Sequence, residues 1–308
     1  NKMCGSGMQA AMMAYDAIAG GSADVVVAGG MESMTGAPYL LPKHRGGARL
    51  GHDTVKDSMF LDGLEDAYEE GTLMGVFADR AATEYQFTRE AQDDYAIRSL
   101  TLAKKAQETG AFEREITPVE VKTRKGTQTV SEDEQPAKAN AEKIPTLRPA
   151  FVPDGTVTAA NSSSISDGAA ALVMCRASTA ERLGMTPVAK VVGHASFAHE
   201  PAKFTSAPVH ATRNLMERIG WTMDDVDLFE VNEAFAVVAL IAEKELGIER
   251  DKLNVNGGAC ALGHPIGASG ARIMATLLGA LENRDLKRGI AAICIGGGEA
   301  TAIALERI

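Results

Sequence analysis

One local pattern occurs twice in this chain of 308 residues. Near the start, Cys4-Gly5-Ser6-Gly7 leads into a segment with Met8, Ala11, Met12, Tyr15 and Ile18 at helical spacing. Gly20-Gly21 ends that helix, Asp24 to Ala28 reads as a short buried strand, and Gly29-Gly30 stops it. Near the end, Gly267-Ala268-Ser269-Gly270 leads into an apolar helix over 271–281, a strand over 290–295, and Gly296-Gly297-Gly298. A small-residue loop, a helix, a strand and a glycine cluster in the same order twice predict a duplicated α/β unit. Aromatic residues make up only 5% of the chain and glycine is frequent, which suits closely packed layers of helix on sheet rather than an all-β fold.

Residues 36–160 break the pattern. They are polar and poor in long apolar runs, and they read as an inserted domain. One helix is predicted from Arg89 to about Thr109, with Thr88 as N-cap and Gly110 as stop. Lys122 to Lys143 is charged and is predicted as loop, whereas Ala169 to Met174 is predicted as a buried strand. Beyond residue 187, Asp227 to Val231 forms a strand leading into Asn232-Glu233-Ala234-Phe235 and a helix ending near Gly247. The expected division is therefore 1–35 with 161–186 as one half, 36–160 as the insertion, and 187–308 as the other half.

The net charge of −10 is opposite to that of a nucleic-acid-binding protein, and an anionic ligand would need a local basic patch. No apolar run is long enough to span a membrane. The cysteines at 4, 175, 260 and 294 match neither a zinc site nor a disulfide framework. Free thiols suit a reducing compartment, so the expected location is cytoplasmic.

Three segments carry candidate chemistry. Cys4 precedes a helix, where unpaired N–H groups favour a thiolate, and Gly5 and Gly7 would let a substrate come close. His264, in Gly263-His264-Pro265, can take a thiol proton or donate to an oxyanion. Cys294 ends a strand before Gly296, whose N–H could be an oxyanion donor; the cysteine reads either as core or as a general acid/base. Asn232 lies at a strand's C-terminal end, where it could hold a water or cap a helix. Glu233 reads as a first-turn acid of the following helix, and Cys260 as packing. Nothing in the spacing of these groups calls for a metal.

Met3-Cys4-Gly5-Ser6-Gly7, Asn232-Glu233-Ala234-Phe235, the run from Gly257 to Gly270 and Cys294-Ile295-Gly296-Gly297-Gly298 together resemble the thiolases, in family order and over essentially the whole chain. Within that family the likeness is to the acetyl-CoA acetyltransferase branch. The resemblance implies a five-layered α/β/α/β/α core of two similar halves with an inserted loop domain. It also implies that roughly the first eighty-five residues of a complete member precede this sequence. It assigns Cys4 as the nucleophile that becomes an acyl-thioester, His264 as its base, and Cys294 as the group that moves the substrate α-proton. Asn232 would hold an oxyanion-hole water, and the N–H groups of Cys4 and Gly296 would form a second hole. Ser163, Leu147, Phe151, Ala234, Phe235 and Met74 match substrate-wall positions. Lys138, Lys143 and Arg148 are either contacts for CoA phosphates or solvated surface charges. CoA and acyl-CoA are the implied substrates, with no further cofactor, and a dimer of dimers is the implied assembly. The chain has Leu73-Met74-Gly75 where many biosynthetic members have His-Met-Gly, which leaves acyl-chain preference open.

The expected activity is reversible condensation of two acetyl-CoA to acetoacetyl-CoA and CoA. A 3-ketoacyl-CoA thiolase acting on longer chains is the near alternative. A ketoacyl synthase would lack the Cys294 block. A non-catalytic thiolase-like fragment or interaction protein would be expected to lack Cys4 or His264, and both are present.

Overall fold

In the computed structural model, which describes residues 1–308, the chain enters through a 3-10 turn at Met3–Gly5 and continues as helix α1 (Ser6–Ala19). Met8, Ala11, Met12 and Ile18 face inward, as their spacing predicts. Strand β1 (Val25–Ser33) follows and runs through Gly29 and Gly30 instead of stopping there. These glycines are contact points: a Cβ on Gly29 would overlap the Ala170 carbonyl, and one on Gly30 the Gly267 carbonyl.

Residues 34–166 separate β1 from its partner. They hold the short strands β2 (Tyr39–Leu40) and β3 (Lys56–Asp57), helices α2 (Met74–Glu84) and α3 (Arg89–Glu108), the hairpin β4 (Val119–Thr123) and β5 (Gly126–Val130), and helix α4 (Glu134–Lys138). The Thr88 side chain accepts the Ala91 N–H, so α3 is capped as predicted. The segment 122–143, expected as loop, is largely hairpin, helix and a 3-10 turn at Ala141–Thr146. The hairpin is exposed on both faces, so no apolar alternation marks it in the sequence.

Strand β6 (Asp167–Cys175) pairs antiparallel with β1, placing Val25 opposite Cys175 and Ser33 opposite Asp167. The sequence suggests that β6 is buried, but its residues alternate between exposed and half-buried. Val173 on β6 is 62% exposed, and Val27 and Met31 on β1 are 70% and 79% exposed. Helices cover this two-stranded sheet on one side alone, so its second face stays open.

The remaining elements are α5 (Ala177–Arg182), β7 (Ala189–Ala198), α6 (Ala207–Ile219), β8 (Leu228–Val231), α7 (Ala236–Leu246), α8 (Ala259–Leu262), α9 (Ile266–Asn283), β9 (Arg288–Ile295) and β10 (Glu299–Arg307). The second sheet has the order β7-β10-β9-β8, antiparallel except for β8 beside β9. The duplication is visible in the topology. Helix α1 leads to β1, which pairs antiparallel with β6, and α9 leads to β9, which pairs antiparallel with β10. The second copy closes with the Gly296–Gly298 turn, whereas the first spans residues 34–166.

Helices α1 and α9 pack on each other between the two sheets, and α6 and α7 cover the outer face of the second. The residues thus build a β/α/β/α stack, four of the five expected layers. Two cores lie on opposite faces of the central sheet. Ala292 and Cys294 of β9 point into the α6–α7 side, and Ala291 and Ile293 into the α1–α9 side. Both faces being covered, β9 is apolar without alternation. No helix is long and apolar enough to cross a membrane.

Candidate active site

The N-terminal turns of α1 and α9 meet where β9 ends. A Cβ on Gly7 would lie 2.8 Å from the Ala271 nitrogen, and one on Gly270 would overlap the Met8 nitrogen. A Cβ on Gly5 would overlap Ile295. Gly5 and Gly7, expected to admit a substrate, instead make room for protein. They bring the Cys4 turn against α9 and β9, and substrate access is provided elsewhere. Met3, just before the cysteine, has φ 46°, a left-handed conformation unfavourable for a residue with a side chain.

Cys4, His264, Cys294 and Gly296 line one cavity of about 370 Å³ together with Met74, Phe151, Ser163, Ala234 and Phe235. Its floor comes from the α1, β9 and α9 ends, and its walls from residues 60–75 and 150–165 of the insertion. Thus two cysteines 290 positions apart and the histidine between them converge on one space.

The charge states differ from the sequence expectation. Burial pushes the Cys4 thiol up to about 11, although the N–H groups of Gly296 and of Cys4 itself both favour its thiolate. Desolvation outweighs the helix end, so Cys4 rests as a thiol. Burial also lowers His264 to about 3, with the nearby positive charge of Arg272 acting in the same direction, so the imidazole is neutral. Cys294 is held well above the usual thiol range, first by burial and then by its proximity to Cys4.

Ser269, in the first turn of α9, holds the histidine. Its Oγ lies 2.9 Å from the Pro265 carbonyl and 2.6 Å from His264 Nδ1. With its single hydroxyl proton given to the carbonyl, it accepts from Nδ1–H, the tautomer that leaves a lone pair on Nε2, which is buried and has no partner. The His264 N–H donates to the Ser164 carbonyl at 3.3 Å, tying the loop to the insertion boundary.

Asn232 follows β8, parallel to β9, so both strands deliver their C-terminal ends to the site. It caps no helix, because α7 begins only at Ala236. Its side chain is 1% exposed, yet neither Nδ2 nor Oδ1 has a partner. An unsatisfied buried amide costs about 1–3 kcal/mol, and Asn232, unlike Cys4, His264 and Cys294, is not among the residues that line the cavity.

Glu233 is not a first-turn acid. It is fully buried, and Oε1 accepts from Tyr95 Oη at 3.0 Å and Asn254 Nδ2 at 2.9 Å. Oε2 accepts from Ser99 Oγ at 2.7 Å and the Cys260 N–H at 3.0 Å. This carboxylate joins α3, β8 and the loop leading to His264. Leu147 lies off the central cavity, lining an adjoining one of about 270 Å³ with Lys143 and Cys260. Arg89 holds the Leu147 carbonyl at 2.8 Å and directs the segment that way. Lys138 is exposed and paired with Glu134, and Arg148 is exposed. Sequence reasoning missed Ser269 as the histidine's partner, along with Phe60, Leu64 and Phe204 in the cavity wall. Only Ser269 left a signal, a hydroxyl five residues after His264 at the start of a helix.

Residues 1–178 match the family model described as thiolase, N-terminal domain, and residues 185–307 that described as thiolase, C-terminal domain. The chain belongs to the thiolase family. Among its relatives, the acetyl-CoA acetyltransferase of Escherichia coli is 50% identical over 310 residues, covering 100% of this chain and 78% of that protein. The enzyme of the same name from Allochromatium vinosum is 47% identical with the same coverage. The crystal structure of the Bacillus anthracis acetyl-CoA acetyltransferase superposes with a TM-score of 0.96 at 44% identity, covering 100% of this chain and 78% of that one. Human mitochondrial 3-ketoacyl-CoA thiolase superposes equally well, TM-score 0.96, at 38% identity with the same coverage. The thiolase fold and acyltransferase family inferred from the sequence blocks therefore stand.

Proposed function

We propose that this thiolase is an acetyl-CoA acetyltransferase, joining two acetyl-CoA into acetoacetyl-CoA and CoA through an acetyl group carried on Cys4. The observation that carries the reading is the single cavity shared by Cys4, His264, Cys294 and Gly296. His264 Nε2 takes the Cys4 proton as the sulfur attacks the first thioester carbonyl, and the C–S bond to CoA breaks. The leaving CoA takes a proton from Cys294, which becomes a thiolate beside the imidazolium. That thiolate removes the α-proton of the second acetyl-CoA. The carbanion attacks the acetyl carbonyl, and Cys4 leaves and recovers its proton from His264. Splitting the reaction through a covalent intermediate replaces one difficult step by two easier ones. The N–H groups of Cys4 and Gly296, both directed at the Cys4 sulfur, are suited to the oxyanion formed on the acetyl-enzyme. His264 and a water on Asn232 are suited to the other carbonyl.

The test is peptide mass spectrometry after brief incubation with acetoacetyl-CoA and an acid quench. An acetyl group on the Cys4 peptide, removed by added CoA, is the expected result; an unmodified Cys4 in folded protein overturns the reading. A second reading, a 3-ketoacyl-CoA thiolase for longer chains, is favoured by the apolar wall of Phe60, Leu64 and Leu73. Faster thiolysis of a long 3-oxoacyl-CoA than of acetoacetyl-CoA would select it. The assembly as a dimer of dimers and a cytoplasmic location belong to the same proposal.

A further inference from the structure

Glu32 reaches across the two halves of the molecule. It lies on the helix-facing side of β1, and its Oε2 accepts the Gly267 N–H at 2.9 Å. Gly267 is the second residue of α9, and the N-cap position there is Pro265, which offers no side-chain acceptor. The cap that α9 lacks in its own sequence is therefore supplied by β1. The backbone is arranged for this contact. A Cβ on Gly30 would overlap the Gly267 carbonyl, and one on Gly267 would meet the Met31 carbonyl at 3.0 Å and Glu32 Oε2 at 3.1 Å. Both residues must be bare for β1 to pass the first turn of α9. That turn carries the site, with His264 just before it and Ser269 within it.

Glu32 comes last among the influences on the Cys4 thiol, adding to burial in disfavouring the thiolate. The other titratable groups around that thiol are neutral His264 and Cys294, with Arg272 acting on His264. Asp62 shares with Glu32 a polar cavity of about 380 Å³ on the far side of Ile266.

We propose that Glu32 is a positioning residue for the Cys4–His264 pair, capping from β1 the helix that follows the histidine. The inference rests on the reading of Cys4 as nucleophile and His264 as base. The cap fixes the turn that orients the imidazole.

Substitutions in the full chain test the cap. Glu32→Gln keeps an oxygen for the Gly267 N–H, whereas Glu32→Ala removes it. The readout is steady-state acetoacetyl-CoA thiolysis. Glu32→Ala is expected to lower kcat about tenfold or more with little change in KM, and Glu32→Gln to restore most of the loss. Equal kcat in the two variants overturns the cap role. If Glu32→Ala does not fold, Glu32→Asp replaces it, keeping the charge on a side chain one methylene too short for Gly267; a wild-type kcat there overturns the cap. Failure of the underlying reading shows separately, as wild-type protein that forms no acyl adduct on Cys4.

Discussion

Cys4 and His264 are both neutral at rest, one near 11 and the other near 3, and this defines the chemistry at the residue scale. A preformed thiolate–imidazolium pair would be alkylated readily at neutral pH. Here the alkylation rate of Cys4 is expected to keep rising to pH 9 and above without a neutral plateau, as measured on its peptide. Cys4→Ala is expected to lower acetoacetyl-CoA thiolysis by about a thousandfold or more while leaving the unfolding midpoint nearly unchanged, because it removes one sulfur atom from the wall of a cavity. Ser269→Ala releases Nδ1 and lets the imidazole change tautomer. The expected result is a loss of kcat of about 10- to 100-fold with KM unchanged, largely restored in Ser269→Thr; steady-state kinetics on the three proteins decide it.

Helix α9 shows how an element's glycines separate by position. Gly270 faces α1, and a side chain there collides with the Met8 backbone. Gly279, nine residues on, would place a Cβ no nearer than 4.0 Å to the Ala111 carbonyl. Gly270→Ala is therefore expected to destabilise the protein by about 1–3 kcal/mol by forcing the helices apart. Gly279→Ala should be neutral or stabilising, by up to about 1 kcal/mol of helix propensity. Urea midpoints of the two variants check this pair, and equal shifts would contradict the packing account. Close approach of α1 and α9 is also functional, because it sets the distance between the turn of Cys4 and the loop of His264.

Across the whole molecule, buried titrating groups pull stability in opposite directions with pH. His264 drops from 6.5 to about 3 on folding, so its contribution is complete above pH 6.5 and is lost as pH falls toward 3. Glu230 on β8 is 2% exposed and faces Arg272, and burial raises it from 4.5 to about 8. Its folded form prefers the proton, so stability is complete below about 4.5 and declines as pH rises toward 8. Glu230→Gln keeps the shape without that penalty. The melting temperature is expected to rise relative to wild type at pH 8 and to differ little at pH 4.5; thermal unfolding at the two pH values tests the sign.

By itself the sequence determined the duplicated α/β plan and the capped helix α3, and it singled out Cys4 and His264 as candidates, because glycine clusters and 3.6-residue spacing are local signals; Cys294 joined them only through the family resemblance. What it could not carry was anything that depends on partners distant in the chain. Gly29 and Gly30 read as a stop, yet they are places where a neighbouring backbone presses in. Glu233 reads as a first-turn acid and is a buried hub, because its four donors lie in α3, beyond β8 and at the start of α8. The exposed hairpin left no apolar pattern. The charge states of the site were decided by tertiary structure alone. Desolvation depends on how many layers close over a side chain, and here it overrides the local helix end that favours a thiolate at Cys4.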